Sequence, residues 1–155
     1  MTIITPDTMI LEDFADDGPT GPGRAMWISE PGGLTQFGAF IEILPPGSSS
    51  SIKHWHSSED EMVYVLEGEV TLIEGNTENT LVAGDAATFR AGEPVGHFLK
   101  NNADADARYL VVGTRARQDT ITYPDHDRVL YRDRVRKQVR WTDGSGKPAS
   151  NPYHE

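Results

Sequence analysis

The chain has 155 residues, no cysteine and a formal net charge of −10. That length suits one domain with a core of its own, and the missing cysteine excludes disulfides, thiolate nucleophiles and thiolate metal sites. Residues 1–114 carry 5 basic against 18 acidic side chains, and residues 115–155 carry 9 against 6; so acidic a body opposes a broad nucleic-acid footprint.

The N-terminus has neither the basic start nor the apolar run of a secretory signal. No stretch approaches the roughly 20 apolar residues that span a bilayer. The expectation is a cytoplasmic protein with no membrane or nucleic-acid partner. Residues 1–24 read as an extended arm, because Gly18-Pro-Thr-Gly-Pro-Gly23 opposes regular structure. Strands are predicted at Ala25 to Ser29 and at Gln36 to Leu44, the second ending at Pro45-Pro-Gly47. His54-Trp-His56 reads as a short strand. Met62 to Leu66 and Glu69 to Ile73 flank Glu67-Gly68, which reads as the turn of a hairpin. After a break at Asn76 come short strands at Thr80 to Val82, Ala86 to Phe89, His97 to Lys100 and Arg108 to Val112.

Nothing before residue 125 has helical periodicity. Short strands at even intervals with turn chemistry between them predict an all-β antiparallel sandwich or jelly-roll barrel. Arg128 to Trp141 fits helical and strand spacing equally well, and its basic residues read as a solvated strip or part of a subunit contact. Gly144 to Glu155 reads as a tail. The organisation is therefore an arm at 1–24, a barrel at 25–114 and a C-terminal extension at 115–155.

His54 and His56 share a face of any strand that holds them, because side chains alternate with period two. Glu61 follows at the head of the next strand, on the same face as Val63 and Val65, and His97 arrives from a distant strand. Two imidazoles, a carboxylate and a third imidazole from separate strands can converge on one divalent metal. Glu59 and Asp60 are rival carboxylates. Glu61 is preferred because its distance to Gly68 puts it at the strand's start.

Gly47, His54, His56, Glu61 and Gly68 resemble the first motif of the cupins, and Gly84-Asp85 to Gly92 with His97 to Asn101 resembles the second. Arg90 stands where the second motif carries proline, and the intervals before His54 and His97 are longer than usual. The resemblance implies a double-stranded β-helix, with His54, His56, Glu61 and His97 holding one ion of iron, manganese, nickel, cobalt or zinc. It also implies a homodimer and a small organic ligand in the barrel. Metal-containing cupins include dioxygenases, isomerases and lyases, so a mononuclear metalloenzyme acting on a small polar molecule is expected. The alternative is a non-catalytic cupin whose metal holds ligand or fold. Val63, Val65 and Leu99 would form an apolar inner wall, Tyr64 should face outward, and Arg90 reads as a rim arginine able to bind a carboxylate. His126 and His154 read as a solvated turn and a tail residue.

Overall fold

A computed structural model describes residues 1–14 and 18–154. Thirteen strands carry the fold, and the only helical turns among the described residues are three short 3-10 segments. One sheet has six strands: β1 (Ile10–Phe14), β2 (Gly23–Trp27), β3 (Phe37–Leu44), β10 (Ala107–Thr114), β5 (Glu61–Glu67) and β8 (Ala86–Phe89), neighbouring in that order. Facing it, β7 (Thr77–Val82), β6 (Glu69–Glu74) and β9 (His97–Lys100) form a three-stranded sheet. β13 (Gln138–Thr142), β12 (Arg128–Asp133), β11 (Gln118–Tyr123) and β4 (Trp55–His56) form a four-stranded one. Isolated bridges Ser49–Lys100 and His54–His97 join these two smaller sheets through the segment leading into β4. All pairing is antiparallel, and the chain folds as a jelly-roll barrel.

Alternation builds the interior. On β3, β10 and β5 the paired rows Leu44–Ala107, Glu42–Tyr109–Val65 and Phe40–Val111–Val63 point inward. Facing them, β6 and β9 bring Val70, Leu72 and Leu99, and the core closes around these side chains. A second, smaller core of Ile52, Ile121, Tyr123 and Leu130 lies inside the C-terminal sheet. Trp141 and Tyr153 pack against it, so the tail is held to the barrel at that point. Tyr64 faces outward, 40% exposed, as parity requires.

Two local expectations change and one open reading is resolved. Met62 to Leu66 and Glu69 to Ile73 are not a hairpin: β5 pairs with β10 and β8, while β6 pairs with β7 and β9. Glu67-Gly68 is instead the corner where the chain leaves one sheet for another. Part of the 1–24 arm is regular, since β1 pairs in register with β2; its two strands flank the Gly-Pro loop that masks them in the sequence. The ambiguous stretch 128–141 is the β12–β13 hairpin. Asn76 marks a tight turn, with Gly75 at φ 56° between paired Glu74 and Thr77.

Gly68 has two independent reasons to be glycine. Its φ is 75°, and a Cβ there would lie 2.9 Å from the Asp106 carbonyl oxygen. Gly68→Ala is expected to destabilise the fold by about 1–3 kcal/mol; urea denaturation with an unchanged midpoint would contradict this account of the corner.

Candidate metal centre

His54 lies in the bridge to His97, His56 ends β4, Glu61 begins β5 and His97 begins β9. The folded chain brings all four together. The ligand atoms of His54, His56 and Glu61 lie within 4.8 Å of one another. His97 Nε2 is 3.4 Å from Glu61 Oε2, and His56 Nε2 is 4.0 Å from the same oxygen. The His54 ring centre is 5.1 Å from that of His56 and 5.3 Å from that of His97.

Hydrogen bonds behind the cluster set two of the tautomers. His54 Nδ1–H donates to the Ile52 carbonyl at 3.0 Å, with Ser51 Oγ at 3.2 Å. His56 Nδ1–H donates to Asp119 Oδ2 at 2.6 Å. Each bond leaves Nε2 with its lone pair toward the cluster, as a metal-binding imidazole requires. Asp119 is itself fixed, its Oδ1 accepting from Ser58 N at 2.9 Å and Ser57 Oγ at 3.2 Å. Burial opposes the charge on Asp119, but the His56 and serine hydrogen bonds outweigh it and lower its pKa. The Phe89 ring stacks on His97 at 3.6 Å between centres and fixes that imidazole's plane.

The electrostatics favour a neutral His54 beside an ionised Glu61. Enclosure pushes His54 down to about 4, against the pull of Glu61 and with the push of His56 and His97. Burial would raise Glu61, but the His97 hydrogen bond and the neighbouring imidazoles bring it below the usual carboxylate range.

The rival carboxylates are tied to other partners, although Glu59 Oε2 also lies 3.9 Å from His56 Nδ1 and forms a second acidic group with His56 and Asp119. Glu59 Oε1 accepts from Ala116 N and Arg134 Nη2, both at 2.9 Å, and Arg134 Nη2 also reaches Oε2 at 3.1 Å. Asp60 Oδ1 accepts from Ala91 N at 2.8 Å. Arg90 is exposed and pairs with Glu93 at 3.4 Å. His126 sits in an exposed turn and His154 in a short terminal one, neither near the cluster.

Two cavities meet at the cluster. An inner one of about 180 Å³ lies between Phe40, Val63, Val111 and Leu99 and touches His54, Glu61 and His97. An outer one of about 210 Å³ opens past Trp27, His54, His56 and Glu61 to Arg132 and Arg134. A wider concavity, about 770 Å³, is an open trough over β11–β13, and none of the four clustered residues lines it; chemistry favours the smaller pair.

The cupin-domain family profile matches residues 40–113. A crystallised sugar phosphate isomerase of the cupin superfamily from Silicibacter pomeroyi is 32% identical, superposes with a TM-score of 0.85, and aligns over 98% of this chain and 99% of its own. The chain is a cupin. An oxalate-binding protein from Thermotoga maritima is 35% identical over 69 residues, 44% of this cupin and 54% of that protein. The match thus spans about half of that relative's length.

Two residues around the cluster escape sequence reasoning. Asp119 lies 63 residues from His56, and only the β4–β11 pairing brings them together. Glu42 occupies an inward, apolar-type position of β3 and is 3% exposed; a polar residue breaking the alternation of Gln36 to Leu44 was its one signal. Burial pushes the Glu42 carboxyl from 4.5 up to about 8, with Tyr109 opposing and the Glu61 charge reinforcing the shift. A folded-state pKa above the unfolded one gives stability that is full below pH 4.5 and is lost as pH rises toward 8. For the metal-free cupin, Glu42→Gln should therefore match wild type near pH 4.5 and exceed it by more than about 1 kcal/mol above pH 8. Chemical denaturation across that range checks it, and parallel pH profiles would contradict it.

Proposed function

We propose that this cupin is a mononuclear metalloenzyme of isomerase type, acting on a small phosphorylated sugar held in the barrel. His54, His56, Glu61 and His97 are the proposed ligands. The carrying observation is the convergence of imidazole Nε2 atoms on Glu61, with the Nδ1 protons of His54 and His56 already committed to Ile52 and Asp119. This nitrogen-rich set with one carboxylate suits iron, manganese, nickel, cobalt or zinc. The near-complete alignment with a sugar phosphate isomerase supports the reaction class.

A divalent ion held there would act as a Lewis acid on a substrate carbonyl or hydroxyl oxygen. The protein's own part is positioning. Phe40, Val63 and Val111 wall the inner cavity and exclude bulk water from it. Arg132 lies directly opposite Asp119 on the β11–β12 pair, hence on the inward face with Leu130. Arg134 is held by Glu59, but the Arg132 guanidinium, near Tyr123, has no ion pair or side-chain hydrogen bond among the described residues. An anionic group entering through the outer cavity would meet that guanidinium first.

A second reading is a binding protein for a small dicarboxylate, favoured by the partial likeness to an oxalate-binding protein. Turnover separates the two. Metal-loaded wild type should interconvert an aldose phosphate and its ketose, with exchange of the carbon-bound proton for solvent deuterium followed by NMR. Tight oxalate binding without turnover would favour the second reading.

Metal content by mass spectrometry should be about one equivalent in wild type and near zero in His56→Ala. Asp119→Asn should retain the fold but weaken metal affinity about 10–100-fold, measured by chelator competition. Wild-type affinity in Asp119→Asn would remove its orienting role.

A further inference from the structure

The inner cavity has a polar end that the cluster does not use. Glu42 faces Tyr109 across β3–β10, and Tyr109 faces Val65 across β10–β5. This row lies two inward rows deeper than Glu61, which pairs with Gly113. Ser50 joins them at the cavity wall. Glu42 is 3% exposed and Tyr109 fully buried; the Tyr109 hydroxyl sits close enough to Glu42 and Ser50 to interact with both, yet neither Glu42 Oε1 nor that hydroxyl makes a hydrogen bond of regular geometry among the described residues. Ser50 Oγ accepts from Leu99 N at 2.9 Å, which leaves its own O–H to donate.

Buried polar atoms without partners are costly, and apolar residues of similar shape would remove the cost. Their presence in an enclosed cavity calls for something that completes them. We propose that Glu42, Tyr109 and Ser50 form the deep end of the ligand site, a pocket that hydrogen-bonds the hydroxyl groups of a polyhydroxylated ligand reaching inward from the His/Glu cluster. It deepens the proposed isomerase reading and rests on it.

The chemistry of the three groups selects hydroxyls. A carboxyl held neutral by burial, a phenol and an alcohol each donate and accept, as a sugar hydroxyl does. No lysine or arginine among the described residues lines this cavity, so an anionic group of the ligand belongs at the mouth beside Arg132. Between the two ends, Val63, Leu99 and Val111 offer apolar contact to the ligand's C–H groups. About 180 Å³ is room for roughly six waters at about 30 Å³ each, or for the polyol part of a small sugar.

The test uses metal-loaded full-length protein, Tyr109→Phe and Glu42→Gln, with four probes: ribose 5-phosphate, fructose 6-phosphate, erythritol and oxalate. Without a probe, both variants should melt no lower than wild type, since each removes or softens an unsatisfied group. By calorimetry, the Kd for the hydroxylated probes should rise about tenfold or more in both variants, while that for two-carbon oxalate stays within about twofold. Wild type binding erythritol but neither sugar phosphate would remove the phosphorylated-sugar reading and leave the pocket standing. Variants that melt lower by more than about 3 °C would show that these groups hold the fold, and would overturn the proposal. So would unchanged Kd values, or a wild type that binds no hydroxylated probe.

Discussion

The pair of backbone hydrogen bonds between His54 and His97 is the constraint on which the site depends. His97 N donates to the His54 carbonyl at 2.9 Å, and His54 N returns the bond at 3.3 Å. With the Ser49–Lys100 bridge, this pair joins the three-stranded sheet to the segment that feeds β4. The His54–His97 bridge also sets two imidazoles side by side, because directly opposed residues on antiparallel strands share a face. Closure of the barrel wall and assembly of the cluster are thus a single event. His56 then follows two residues later on the same side, and Glu61 arrives from the opposite sheet.

Around this bridge the protein separates its carboxylates by environment. Glu61 faces three imidazoles and stays ionised. Glu59, only two residues earlier, is consumed by Arg134 and the Ala116 amide. Asp119 serves His56 from behind. Glu42, deepest of the four and without a cation beside it, is held neutral near pH 7 by burial. Four acids within one barrel have four different jobs because each has a different set of neighbours, not a different chemistry.

The family, the all-β architecture and the four clustered residues were legible because they rest on local spacing. His54-x-His56, the interval from Glu61 to Gly68, and the glycine turns each constrain a few adjacent residues. What failed is what depends on which strand pairs with which. Met62–Leu66 and Glu69–Ile73 carry the pattern of a hairpin, yet a corner glycine sends them to different sheets, and no local signal tells a corner from a turn. Ile10–Phe14 was obscured by the Gly-Pro loop beside it. The tautomer-setting role of Asp119 was invisible for the same reason, since it is created by a strand pairing across more than sixty residues. Arg128 to Trp141 stayed open between helix and strand because both its faces carry charge, which erases the contrast that periodicity needs.

The β4–β11 pairing has an evolutionary corollary. The family profile ends at residue 113, so the region that defines the superfamily contains every atom of the imidazole–carboxylate cluster. The carboxylate that steers one of those imidazoles is contributed from outside it. A barrel excised at that boundary would inherit the donor atoms but not their aim. Divergence among cupins can therefore proceed in the appended strands, retuning an inherited centre by exchanging what stands behind it while its donors stay untouched.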